Sequence, residues 1–380
     1  MTAPVPSAAT VPPAPWQAAS AEAWADWRWQ MANRLRSIAD LARRFALTDL
    51  EAAAAAADAR AGTDRHPRLR IGVTPYFAAL ADPANPACPI RAQVVPRAGE
   101  LAGSAPGQAD PLDEDAFSPV PGLVHRHPDR ALMLVGSQCA AYCRFCTRAR
   151  LVGRAGALSE ADLRAQFDYL RAHPGISEVI LSGGDPLLLP DRRLDRILAA
   201  VRAVPHVDAV RVHTRVPVVL PMRVTPALTA VLARHRPLWV NVHVNHGREL
   251  APEVAAALRR LADAGLSLGS QSVLLAGVND TAADQEALWR ALRRLGIRPY
   301  YLFHCDPVAG AEAFRTPLAR GAEILEAVRG RIGGLSLPTY VVDRPGRQGK
   351  RQVVLDAGDR TGPAHGPLVV APREGSRGDR

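Results

Sequence analysis

The chain of 380 residues is almost without lysine: of its 47 basic residues, Lys350 is the single lysine and the other 46 are arginines. A chain of this size ordinarily carries about twenty lysines. The Ala-, Arg- and Pro-rich composition points to a coding bias that replaced lysine wherever charge alone sufficed. Arginine cannot replace lysine as a neutral amine or a Schiff-base former, so the surviving lysine is a candidate for covalent chemistry, the alternative being a chance survivor on a surface loop. Aromatic residues are also scarce, at 5%. The net charge of +10 comes from scattered arginines with no dense basic block and no aromatic interleaving, so a nucleic-acid partner is not expected. Five cysteines, three of them within eight residues, make no disulfide framework. No apolar run approaches the roughly 18–20 residues of a membrane span. The N-terminus has neither a basic start nor an apolar stretch, so no secretory signal is read there. With 48% hydrophobic residues the chain is not disordered, and the expectation is a cytoplasmic globular protein with a large core.

Residues 1–20 are Ala/Pro-rich and read as a flexible tail. Trp24, Trp27, Met31, Leu35, Ile38 and Leu41 recur at helical spacing and begin an N-terminal helical and irregular region over 21–120. Pro- and Asp-rich sequence with short apolar runs between 62 and 130 predicts irregular connections with few long elements. Short apolar runs at 131–135, 178–181, 209–213, 238–244, 268–274 and 300–303 read as buried strands. Helical patterns near 160–172, 191–203, 225–235, 251–263 and 282–295, and another after 311, alternate with them. Gly265 stops the helix that precedes it. Such alternation predicts an α/β fold over 121–335, a parallel sheet either doubly wound or rolled into a barrel, with its chemistry beyond the C-terminal strand ends. The segment 336–356 carries the lysine, and 357–380 reads as a second flexible tail.

After the first predicted strand, Cys139, Cys143 and Cys146 stand in a C-x3-C-x2-C spacing. Thiolates hold zinc or iron–sulfur clusters. A structural zinc needs a fourth ligand, for which His125 or His127 would have to serve, whereas a 4Fe–4S cluster on three cysteines leaves one iron open. After the second strand comes Ser182-Gly183-Gly184-Asp185, where glycines permit close backbone approach and Asp185 is placed to accept from an ammonium group. Later strand ends carry His213, His243, Asn245, His246, Gln271 and Asn279, polar groups costly to bury unless they line a ligand site. Among these His243 and Gln271 are read as cofactor-facing. Lys350 follows a Pro/Gly-rich turn suited to delivering it to a site, and its commonest covalent partner is pyridoxal phosphate (PLP). Arg126 and Arg130 in HRHPDR are suited to the phosphate.

The runs SPVPGLVHRHPDR, CAAYCRFCTRAR, SGGDPLLL, HTRVPVVLP, VNHGREL, LGSQSVLLAGVND, RPYYLFHCD and PTYVVDRPGRQGK occur in order within about residues 22–352. Together they resemble the lysine 2,3-aminomutase family of radical S-adenosylmethionine (SAM) enzymes. The resemblance implies an incomplete (βα)6 barrel, an isomerase activity, and a 4Fe–4S cluster, SAM and PLP as cofactors. It implies that Cys139, Cys143 and Cys146 hold the cluster, Ser182 to Asp185 the SAM, Lys350 the PLP and Arg126 and Arg130 its phosphate. Arg148 would receive the substrate carboxylate, and Asp306 and Asp343 a distal ammonium. A flavodoxin- or ferredoxin-type electron donor and a homo-oligomer are expected partners.

Two carboxylates suit a cationic amino acid and repel glutamate; the resemblance implies lysine as the substrate, with arginine or another basic amino acid as the alternative. The chain departs from the family's lysine enzymes at His127 and Phe303-His304, where those carry Tyr and Tyr-Gln, and at Gly346-Arg347-Gln348-Gly349, which interrupts a glycine run. An RNA-modifying radical SAM enzyme and a zinc-binding interaction protein are the readings from other classes. The first leaves PLP unnecessary, and the second leaves Lys350 and both aspartates unexplained.

Overall fold

The computed structural model describes residues 13–60, 70–97, 100, 107–153, 158–355 and 367–369. Ten strands form one sheet in sequence order: β1 (Leu123–His127), β2 (Arg130–Leu134), β3 (Glu178–Ser182), β4 (Ala209–Thr214), β5 (Trp239–His243), β6 (Ser267–Leu274), β7 (Arg298–His304), β8 (Thr339–Arg344), β9 (Gly349–Leu355) and β10 (Pro367–Val369). Strands β2 to β8 run parallel, while β1, β9 and β10 add antiparallel edges. Six helices, Glu160–Ala172, Asp191–Arg202, Pro226–Arg234, Pro252–Asp263, Ala282–Arg294 and Leu318–Val328, make the crossovers. Six strand–helix units followed by β8 are the incomplete barrel expected from the sequence.

Local chemistry sets these elements. Ser159 and Asp162 form a reciprocal capping box at the first crossover helix. The helix Pro252–Asp263 ends where Gly265 adopts φ +76°, as its sequence predicts. Each helix turns an apolar stripe to the sheet; Val254, Ala257, Leu258 and Leu261 are buried on one. The strands alternate faces: Val210, Val212 and Thr214 of β4 are buried, while Arg211 and His213 turn to the opposite, concave side. Fully burying a Leu or Val side chain contributes about 1.5–3 kcal/mol, and the parallel strands supply such residues to a continuous core.

Side chains join the two sides of the sheet. Arg126 of β1 makes an ion pair with Asp343 of β8, and the ring of His127 sits where a Cβ on Gly349 would come within 2.7 Å of it. The curl therefore gathers β1 through β9 around one cavity.

Three elements differ from the sequence expectation. The stretch 62–130, expected to be irregular, contains β1 and the short helices Pro75–Ala79 and Pro89–Ala92. Strand β1 is missed because His125, Arg126 and His127 hide the apolar alternation. The N-terminal helical pattern is broken into Ala21–Ala25, Trp27–Ala32, Ile38–Arg44 and Asp49–Arg60. Asp26 ends one helix and caps the next, so Trp24, Leu35, Leu41 and Phe45 reach the core from separate segments. Trp16 is buried within the expected first tail, and within the expected last one Pro367–Val369 pairs with β9; residues 1–12, 357–366 and 370–380 lie outside the described residues.

Candidate active site

A cavity of about 440 Å3 occupies the concave side of the sheet, within the usual size range for ligand sites. Cys143 and Cys146 line it, as do Arg126, Asp306, Asp343 and Lys350.

The cysteine loop leaves β2 and folds onto the turn after β3. Gly184 N donates to Gly136 O at 2.7 Å and Asp185 N to Gln138 O at 2.8 Å. A Cβ on Gly183, which has φ +116°, would lie 2.5 Å from Gly136 O, and one on Gly184 2.3 Å from Gln138 O. The two glycines therefore admit the cysteine loop's own backbone, and Gly183 also faces the cavity. Ser182 receives Arg148 Nη1 on its hydroxyl at 3.3 Å. Asp185, expected to accept from a ligand ammonium, is instead enclosed: its carboxylate accepts from Thr214 Oγ1 at 2.7 Å and from the amides of Arg215, Val216 and Leu187 at 2.7, 3.0 and 3.1 Å. It pins the end of β4 to the cysteine loop.

Burial, then the neighbouring thiols, pushes the Cys139 thiol well up, and burial with Cys143 pushes Cys146 to about 12. Thiols whose ionisation is opposed, as at Cys139 and Cys146, become ligands when a cationic group offsets their charge, which fits an iron–sulfur cluster. Among the described residues no three His, Cys, Asp or Glu side chains converge as a site for one metal ion. His125, considered as a fourth zinc ligand, shares a hydrogen bond of 2.9 Å with the Tyr169 hydroxyl.

Lys350 at the start of β9 places Nζ 3.2 Å from Asp343 Oδ2 and 5.8 Å from the centre of the Phe303 ring. Asp343 is thus held between Lys350 and Arg126. Burial raises its carboxyl, but the two cations outweigh this and hold it below the ordinary range. Asp306, beyond β7, accepts from Thr147 Oγ1 at 3.2 Å. Burial and the charge of Asp343 push its carboxyl up to about 7. Of the pair, Asp306 is therefore the one that takes a proton.

The arginines are more occupied than the sequence suggests. Arg126, expected at a phosphate, is spent on Asp343 and on Leu112 O at 3.1 Å. Arg130 lines the cavity and makes an ion pair of 3.3 Å with Asp129. Arg148, expected at the substrate carboxylate, is clamped by Glu114, its Nε and Nη2 donating at 3.0 and 2.6 Å. Glu114 is a functional neighbour the sequence reading missed; a buried acid in DPLDED, with no ligand-like spacing, gave only its charge as a signal.

His243 and Gln271, register partners on β5 and β6, both face the cavity, as does His213. Burial drives His243 down to about 3 and His213 well below its usual value, so these imidazoles are neutral acceptors or donors. Asn279 is buried away from the cavity, donating to Asn245 O and Val273 O. Phe145, Val273 and Phe303 supply apolar wall. An amine beside a carboxylate, with Arg130 on the same cavity as a cation for a phosphate, fits PLP. The thiols and the glycine turn fit a cluster and SAM.

The family description of the Radical SAM superfamily matches residues 133–289. The chain is 44% identical over 337 residues to the L-lysine 2,3-aminomutase of Acetoanaerobium sticklandii, covering 88% of this chain and 80% of that protein. It is also 44% identical over 332 residues to the L-lysine 2,3-aminomutase of Clostridium subterminale, covering 87% and 78%. The glutamate 2,3-aminomutase of Clostridioides difficile is 34% identical over 330 residues, covering 87% and 76%.

Proposed function

This chain belongs to the lysine 2,3-aminomutase family of radical SAM proteins, and from that premise we propose that it moves the amino group of L-lysine from C2 to C3, giving β-lysine. The reaction is an isomerisation: a nitrogen and a hydrogen exchange places and nothing enters or leaves. The 4Fe–4S cluster with SAM would supply reversible hydrogen abstraction, and PLP would hold the substrate's own amino nitrogen in a form able to migrate between adjacent carbons. A flavodoxin- or ferredoxin-type donor would supply the electron that the cluster requires.

The chain's own residues bind and orient. Cys139, Cys143 and Cys146 would hold the cluster, the Ser182–Asp185 turn would shape the SAM site beside it, and Lys350 would carry PLP with Arg130 at the phosphate. Glu114 fixes Arg148 by two donors, which keeps the guanidinium in one orientation as a receiver for the substrate carboxylate. Asp306 and Asp343 would face the distal ammonium, and the apolar wall of Phe145, Val273 and Phe303 would keep water from the reacting carbons. The same two carboxylates would repel the side chain of glutamate, which disfavours the substrate of the 34%-identical relative.

The observation that carries this reading is the opening of the single lysine, beside Asp343, onto the cavity that Cys143 and Cys146 also line. Anaerobic reconstitution with iron, sulfide, PLP, SAM and a reductant, followed by equal lysine, arginine, ornithine and glutamate, tests it by chiral mass spectrometry. β-Lysine is the expected product, and β-arginine would move the substrate while keeping the chemistry. Absence of any isomer from a chain that has bound iron, sulfide and PLP would overturn the proposed reaction.

A further inference from the structure

Behind Cys143 lies a buried cation that the reaction as described does not use. Arg215, the residue after β4, donates from Nη1 to Cys143 Sγ at 2.6 Å and from Nη2 to Gln93 Oε1 at 2.6 Å. Nη2 also lies 3.4 Å from Glu249 Oε2. Glu249 is fully buried, and its other oxygen accepts from Gln93 Nε2 at 2.8 Å and Asn245 N at 3.3 Å. The Arg215 guanidinium lies 5.1 Å from the Phe77 ring centre and 6.0 Å from that of Phe145, which keeps solvent away. Its backbone amide is held by Asp185, at 2.7 Å.

Cys143 faces the cavity, whereas Arg215 and Glu249 are not among the residues that line it. The pair's direct hydrogen bond to a cavity-lining residue is the one from Arg215 to the Cys143 sulfur. Sequestering an arginine and a glutamate from water is costly, and hydrophobic residues of similar volume would often serve stability as well. What the pair provides is a charge-assisted donor of fixed direction on one ligand sulfur, with a counter-charge set further back. Hydrogen bonds and charge near the sulfurs are main determinants of cluster potential.

We propose that Arg215 and Glu249 form an opposed charge pair that sets the reduction potential of the cluster through Cys143. This rests on the assignment of Cys143 as a cluster ligand. Reduction adds one electron from an external one-electron donor to the cluster, with no bond made or broken and no proton moved. Arg215 stabilises the more negative, reduced cluster, and Glu249 restrains that effect. Both are positioning residues, since neither faces the reacting atoms.

The test is an EPR-monitored redox titration with dithionite and mediators on the full chain, reconstituted with iron and sulfide and without SAM or substrate. Iron and sulfide are counted on the same samples. Arg215→Gln should lower the equilibrium constant for reduction about tenfold, a fall of about 59 mV for a one-electron couple. Glu249→Gln should move the potential in the opposite direction, and Arg215→Lys should leave it nearer the parent than Arg215→Gln does. Opposite shifts are the mark of a charge pair, because loss of packing alone gives no reason for them. Unmoved potentials, shifts of the same sign, or loss of iron from both Gln variants would overturn the proposal and make the pair a structural support. A parent chain that binds no iron–sulfur cluster would instead overturn the cofactor reading beneath it.

Discussion

The cysteine side and the lysine side of the cavity are built by different means. On the cysteine side the ligands lie within eight residues of one another, and the loop is fixed by backbone hydrogen bonds to the glycine turn after β3. On the lysine side Arg126, Asp306, Asp343 and Lys350 come from distant parts of the chain and are arranged by charge, with Asp343 between two cations. The first is specified by shape and tolerates little added volume. The second is specified by electrostatics, so protonation or loss of a charge alters it.

The largest effect should come from Lys350→Ala, which removes the chain's single lysine amine. PLP retained after desalting, read by visible absorbance, should fall to background and activity with it, while the iron content stays at the parent value. Loss of iron as well would show that the two sides are not independently built. Next, Asp343→Asn leaves buried Arg126 without its carboxylate and should destabilise the fold by about 3–5 kcal/mol, measured by denaturant unfolding. On the opposite side, Gly184→Ala forces a methyl against Gln138 O and should cost about 1–3 kcal/mol. It should lower iron incorporation while PLP binding persists; the reverse pattern would break the comparison.

The smallest effect is graded with pH. Below about 7 Asp306 is protonated and stops attracting a cationic substrate, so KM should rise by about tenfold per pH unit as pH falls, and level off above 7. Asp306→Asn should remove this dependence. The same raised value means that the folded chain holds a proton on Asp306 that the unfolded chain has lost between the ordinary carboxylate range and about 7. Its contribution to stability should therefore decline as pH rises through that window, and less so in Asp306→Asn.

The parallel strands and their helices were legible because each is buried on one face and carries its own period. The expected runs at 178–181 and 209–213 fall within β3 and β4, and the helix stop at Gly265 lies where its φ of +76° requires it. Strand β1 was not legible, because its alternation is made of His and Arg whose partners, Asp343 and Tyr169, lie far away in sequence. The glycine turn was recognised as a close approach, but what approaches it is the cysteine loop's backbone. Asp185 was recognised as an acceptor, but its donors are Thr214 and the amides of the turns that follow β3 and β4.

By itself the sequence determined the cluster spacing, the covalent candidate and the strand–helix alternation, since each depends on residue identity and short-range order. Only the tertiary structure decided which charges meet. The pairing of Glu114 with Arg148, the division of Asp343 between Arg126 and Lys350, and the placement of Arg215 and Glu249 behind Cys143 all join distant residues. Charge interactions depend on separation and on exclusion of water, and a one-dimensional chain contains neither until the sheet has curled.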